Sequence, residues 1–277
     1  MPEEPEPLEE PLKEESSNPV PPEESLTLSG PEPGVIENPW QSLRKFTPAR
    51  IALGRAGHSL PTRELLNFQL AHAQARDAVY SHFDPALVAG QLAGRGYSSL
   101  QVHSQAPDRI TFLKRPDFGR RLTSESRETL LGYVAQNNPP PNLLFVLGDG
   151  LSAEAIHRHA VPVLDLTART LQAEGWRIGP VIIASQARVA LGDEIGQLLG
   201  AGQVAILIGE RPGLSAPDSL GIYLTYRPHV GRLESERNCI SNIRPAGLSY
   251  EVAALTLVDL FKRAEYFQYS GVKLKEP

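Results

Sequence analysis

Short apolar runs without a polar interruption recur in the second half of the chain: Leu143-Leu144-Phe145-Val146-Leu147, Val181-Ile182-Ile183-Ala184 and Val204-Ala205-Ile206-Leu207-Ile208. Runs of this length, apolar at every position, suit strands buried on both faces of a parallel sheet. Helical spacing fills the intervals, after residue 153 and over 193–199. Tyr223 to Tyr226 supplies a further strand, and residues 250–267 a terminal helix with Ser249 as its cap. Strands alternating with helices predict βαβ units and an α/β fold with a Rossmann-like parallel sheet.

Upstream the pattern is mainly helical. A helix follows Pro61, with Leu65, Phe68, Ala75 and Val79, flanked by Leu66, Leu70 and Ala73, forming an apolar face. Asp84-Pro85 caps and opens a second helix that ends near Gly94 and Gly96. Residues 99–103 alternate like a half-buried strand, and Ile110-Thr111-Phe112-Leu113 reads as another. A helix from about residue 123 to 136 is broken by Pro139-Pro140-Pro141. Three segments result: a tail over 1–37, a helical N-terminal subdomain over 38–97, and a Rossmann-like domain over 98–277.

The apolar runs end abruptly in turns. Gly148 to Ser152, Ser185 to Val189 and Gly209 to Gly213 all leave the C-terminal ends of predicted strands. In a parallel sheet those ends share one edge, so the three loops line one shelf, where open α/β sheets place ligands. Glu210 and Arg211 stand on it, either as an ion pair capping a strand or as ligand-facing groups.

Charge changes the picture at the N-terminus. Residues 1–37 hold eleven of the 32 acidic residues, nine prolines and one basic residue, Lys13. So polar a segment cannot offset its ordering entropy and reads as a disordered, solubilising tail. The remainder carries 26 basic and 21 acidic residues, a balance of +5 that suits an anionic ligand or acidic partner but is too small for nucleic acid. The densest basic stretch is Lys114-Arg115-Pro116-Asp117-Phe118-Gly119-Arg120-Arg121, read as a phosphate contact, a subunit contact or an exposed loop. One cysteine, Cys239, excludes an internal disulfide and a Cys-x-x-Cys site. A basic-then-apolar leader is absent, and no apolar run approaches the roughly 18 residues of a membrane span. The expectation is a cytoplasmic protein.

Two chemistries fit the shelf. Gly148-Asp149-Gly150-Leu151-Ser152-Ala153 satisfies G-x-G-x-x-A between a strand and a helix, with Glu174 at the distance of a ribose-binding acid, as in an NAD(P)-binding oxidoreductase. Asp149, however, puts a carboxylate beside the pyrophosphate. The other reading rests on several motifs in order. Arg115-Pro116-Asp117-Phe118-Gly119-Arg120-Arg121-Leu122, Gly148-Asp149-Gly150-Leu151-Ser152, Gly209-Glu210-Arg211-Pro212-Gly213-Leu214 and Cys239-Ile240-Ser241-Asn242-Ile243 resemble the small subunit of ethanolamine ammonia-lyase. Gly54-Arg55-Ala56-Gly57 and Gly192-Asp193-Glu194-Ile195-Gly196 match as well, so the resemblance covers roughly residues 38–272.

That resemblance implies an adenosylcobalamin enzyme, a hetero-oligomer whose TIM-barrel large subunit binds ethanolamine and whose complex converts it to acetaldehyde and ammonia by radical chemistry. The cofactor lies between the subunits, and its family contacts fall here on Val189, Glu210 and Cys239. Without the resemblance, Cys239 reads as a buried inert thiol. No catalytic acid, base or nucleophile set is discernible in the chain, as expected of a binding subunit. None of the seven histidines, His58, His72, His82, His103, His157, His159 and His229, follows an aspartate by two places, so none matches the cobalt-ligating Asp-x-His-x-x-Gly motif. The cofactor is therefore expected to keep its own base. Family members can also carry an amphipathic leader for a protein-shelled bacterial microcompartment, whose helical apolar periodicity residues 1–37 lack.

Overall fold

The computed structural model describes residues 34–137 and 139–275. Most of the expected acidic tail, residues 1–33, lies outside them. The described residues divide into two compact units, one ending at Pro61 and the other beginning at Thr62. In the first, β1 (Val35–Ile36) pairs antiparallel with β2 (Arg55–Ala56), and a 3-10 helix spans Gln41–Phe46. Gly54 permits that pairing: its φ is +78°, and a Cβ there would meet the Ile36 carbonyl oxygen at 2.8 Å.

The second unit opens with α1 (Thr62–Tyr80) and α2 (Pro85–Ala93), the latter capped by Asp84 through the amides of Ala86 and Leu87, both at 3.0 Å. Then follow β3 (Ser99–His103), α3 (Arg109–Lys114), α4 (Ser124–Gln136) and β4 (Leu143–Gly148). A short α5 (Ala153–Ala155) passes through a π-helical turn, Ile156–Ala160, into α6 (Val161–Ala173). The rest is β5 (Val181–Ser185), α7 (Leu191–Leu198), β6 (Gln203–Gly209), β7 (Leu220–Tyr226), β8 (Arg237–Ile243) and α8 (Tyr250–Phe267).

Six strands form one sheet in the order β3-β5-β4-β6-β7-β8. β3, β5, β4 and β6 are parallel, while β7 runs antiparallel to both β6 and β8. The fold is therefore α/β with a mixed sheet, which corrects the purely parallel expectation. The cause lies between β6 and β7, where ten residues carry no helix. A parallel return needs a crossover of a dozen residues or more, usually helical.

Each central strand feeds two cores by the period-2 alternation of its side chains. Leu143, Phe145 and Leu147 of β4 join Ala205 and Leu207 of β6 in a core with α2, α6 and α8. Leu144 and Val146 join Val204, Ile206 and Ile208 in a second core with α4 and α7. The chain leaves β4 by α6 on one face and β5 by α7 on the other. A crevice is thus left at the C-terminal strand edge, around β4.

One other expectation is corrected. Residues 110–113 form a helix, because the Asp108 side chain accepts the Thr111 amide at 2.8 Å and caps α3. The apolar face of α1 is present but largely uncovered, which the sequence leaves undecided: Leu65, Leu66, Phe68 and Leu70 are exposed, whereas Glu64 and Ala71 are buried. Periodicity identifies an apolar stripe without identifying what covers it.

Two buried carboxylates in the first turn of α7 hold the second layer. Glu194 accepts the Leu122 amide at 3.0 Å and Arg127 Nε at 2.7 Å, and Asp193 pairs with Arg237 of β8. The Asp193 and Arg237 side chains are only 3 % and 1 % exposed. Removing one partner of such a pair strands a buried charge, so Asp193→Ala should lower the unfolding free energy in urea by about 3–5 kcal/mol. Glu174→Ala removes a pair with Lys262 that is more than 40 % exposed on both sides, and should cost less than about 1 kcal/mol. Comparable losses in the two variants would contradict the assignment.

Candidate functional site

Four loops converge at the C-terminal edge of the parallel strands: those after β3, β4, β5 and β6. At their centre is Asp149, which is 1 % exposed. One of its carboxylate oxygens accepts the Ala187 amide at 2.9 Å, and the other faces Arg109 Nη1 at 3.2 Å. Arg109 also donates to the carbonyls of Gly150, at 2.8 Å, and Val79 of α1, at 2.7 Å. A single buried ion pair thus joins the loops after β3, β4 and β5 to α1. Burial pushes the Asp149 carboxyl up to about 6, against the Ala187 N–H and the Arg109 guanidinium, which favour its charge.

The fourth loop joins by backbone packing. Gly150 has φ +53°, and a Cβ on it would lie 2.3 Å from the Gly209 carbonyl oxygen. The Leu151 amide donates to that same oxygen at 2.9 Å, and the Ser152 amide to the Asp149 carbonyl at 3.1 Å. These bonds bear on the dinucleotide reading, because the amides that would hold a pyrophosphate are already engaged. Glu174 is no better placed, at the far end of α6 and 2.5 Å from Lys262.

An open cavity of about 420 Å3 lies between the loops and β7, lined by Leu151, Arg188, Val189, Glu210, Arg211 and Tyr223 among others. Val189 is half-buried there. Glu210 is not engaged by its neighbour Arg211. Its carboxylate accepts Ser219 Oγ and Ser241 Oγ, each at 2.5 Å, and the Asn242 amide at 3.2 Å. It therefore ties the end of β6 to the start of β7 and to β8. Asn242 itself is left-handed, φ +59°, and this bond helps to hold it.

Cys239 is exposed rather than buried, which corrects the reading of its thiol made without the resemblance. It sits on β8 opposite Tyr223 in the strand register. Burial pushes the Tyr223 phenol up to about 12, and the Cys239 thiol beside it adds to the rise. The fold therefore brings Val189 and Glu210 to one cavity and sets Cys239 next to a third lining residue. Arg109 and Tyr223 escaped the sequence reading: the first was hidden by taking 110–113 as a strand, although Asp108 is a recognisable cap. Among the described residues, no group of three or more His, Cys, Asp and Glu side chains could hold a metal ion, and no helix is long and apolar enough to cross a membrane.

Known proteins are similar to this chain over most of its length. The family described as ethanolamine ammonia-lyase light chain (EutC) matches residues 37–275. The ethanolamine ammonia-lyase small subunit of Pseudomonas fluorescens (strain SBW25) is 56% identical over 240 residues, 87% of this chain and 87% of that protein. The small subunit of Ralstonia nicotianae (strain ATCC BAA-1114 / GMI1000) is 54% identical over 242 residues, 87% of this chain and 90% of its own. That of Azotobacter vinelandii (strain DJ / ATCC BAA-1303) is 55% identical over 242 residues, with the same coverage.

The Asp149 carboxyl yields a pH signature. Its ordinary value is 3.8, so between about pH 4 and 6 the folded chain keeps a proton that the unfolded chain has released. Stability should therefore fall as pH rises through that window, by roughly 3 kcal/mol for a rise from 3.8 to about 6. Asp149→Asn cannot titrate. Denaturant unfolding of both proteins across this range should show the wild type losing stability relative to the variant. A pH-independent difference would contradict the buried carboxyl.

Proposed function

The chain belongs to the ethanolamine ammonia-lyase light-chain family, and we propose that it is the small subunit of such an enzyme, holding adenosylcobalamin against a large subunit. The observation that carries this is the character of the shelf. It has preorganised loops, cationic and hydrogen-bonding groups and an open cavity, but no acid, base and nucleophile set. The cavity of about 420 Å3 is open to solvent, so a corrinoid seated there stays partly uncovered by this chain. The remainder needs a second surface. The large subunit, with a TIM barrel and the ethanolamine pocket, provides it in this reading, and the exposed apolar side chains of α1 offer a face for subunit contact.

Several features fit such a cofactor. Glu210 spends three of its roughly four lone-pair directions on Ser219, Ser241 and Asn242, which leaves one for an amide or ribose hydroxyl. Val189 presents an apolar wall to the corrin rim, and Cys239 a polarizable one on the neighbouring strand. Buried guanidinium nitrogens of Arg109 and Arg188 lack acceptors among the described residues. When bound, adenosylcobalamin supplies the homolytic cobalt–carbon chemistry, converting ethanolamine to acetaldehyde and ammonia. This chain's residues contribute binding, orientation and exclusion of water.

Co-expression with the large subunit tests the proposal. The copurified complex, reconstituted with adenosylcobalamin, should show a corrinoid absorption spectrum and turn over ethanolamine, whereas this chain alone with cofactor and substrate should not. Turnover without the partner, or a colourless complex that oxidises or reduces a nicotinamide, would refute it.

A further inference from the structure

The basic loop over residues 114–121 has no part in the shelf as described so far, yet its shape is fitted to one side chain there. Gly119 accepts the Arg188 amide at 2.8 Å through its carbonyl. A Cβ on Gly119 would lie 2.7 Å from Arg188 Cγ and 2.9 Å from the Phe112 ring, so only glycine lets Arg188 lie flat there. Arg188 stacks on Phe112 with its guanidinium carbon 4.2 Å from the ring centroid, and donates from Nη2 to the Phe112 carbonyl at 3.1 Å. Arg109 lies over the same ring at 4.9 Å. Two guanidiniums thus pack against one aromatic ring.

Their charges are not balanced within the chain. Asp149 is ion-paired to Arg109, whereas Arg188 has no carboxylate in ion-pair range among the described residues. Arg188 Nε and Arg109 Nη2 are buried without an acceptor. The exposed Arg120 adds to the positive field around Arg188, and Arg211 lines the same cavity. A partly desolvated guanidinium charge without a counter-ion costs free energy, and an anion bound in the cavity beside it offsets that cost. With Nη2 given to the Phe112 carbonyl and Nε buried, the guanidinium charge and Nη1 are what Arg188 offers a phosphate oxygen.

We propose that Arg188, backed by Arg109 and Arg120, is the phosphate-recognising group of this cavity, and that it takes the phosphodiester of the corrinoid's nucleotide tail. Gly119 is the positioning residue that seats it. The inference rests on the corrinoid reading above, but it can fail separately.

The test compares two ligands on the assembled two-subunit complex. Adenosylcobalamin carries the phosphodiester tail; adenosylcobinamide keeps the corrin and adenosyl groups without it. Equilibrium dialysis should show Arg188→Gln weakening adenosylcobalamin binding by roughly 10- to 150-fold while leaving the adenosylcobinamide Kd unchanged. Arg188→Lys, which keeps the charge but not the planar guanidinium stacked on Phe112, should lose part of that factor with the same selectivity. Should the glutamine variant fail to assemble, the lysine variant decides by the same comparison. Gly119→Ala should likewise impair adenosylcobalamin selectively. Equal losses for both ligands, or no loss, would overturn the proposal and leave the corrinoid reading intact. A wild-type complex that binds neither ligand would overturn both.

Discussion

A carboxylate sealed from water must find its partners within the protein, and the partners of Asp149 lie on loops far apart in sequence. Its oxygens take the Ala187 amide and the Arg109 guanidinium, and Arg109 in turn reaches Gly150 and Val79. Breaking any of these bonds leaves a desolvated charge, so the loops after β3, β4 and β5 hold one another in place. Gly150 and Gly209 then allow the β6 loop to pack against the β4 turn without intervening side chains. The shelf owes its shape to that one buried group and two missing Cβ atoms.

This rigidity sets the character of the shelf. Its amides and carboxylates are largely committed to protein partners, which argues for a preshaped binding surface. Glu210 illustrates the point: it organises Ser219, Ser241 and the left-handed Asn242 before any ligand arrives. The strongest uncommitted polarity belongs to the guanidiniums of Arg109 and Arg188. A surface of this kind recognises and orients, and it suits the division of labour expected between a small subunit and a larger partner.

Much of this architecture was legible in the sequence where a local pattern decides it. Strands β4, β5 and β6 carry unbroken apolar runs because both faces are covered, and α2 and α8 carry caps that mark their starts. The direction of β7 leaves no mark on its own residues; the short helix-free connection before it does. β8 was not recognised because Arg237 and Asn238 look like loop residues. Their burial depends on partners distant in sequence, Asp193 for Arg237 and the Gly271 backbone for Asn238. Arg109 was missed for the same kind of reason: its role depends on where Asp149 lies in space. Val189 and Glu210 were placed on the shelf by loop position and singled out by family resemblance, not by any local signal.

The central claim is that the loops after β4, β5 and β6 form the cofactor face of this chain within the complex. Hydrogen exchange of the assembled two-subunit protein, with and without adenosylcobalamin, tests it most directly. The account predicts slower exchange on cofactor addition in peptides covering residues 148–152, 185–189 and 209–213. Unchanged exchange there, with protection instead around the cavity lined by Tyr133, Pro141 and Arg177 at the opposite sheet edge, would contradict it.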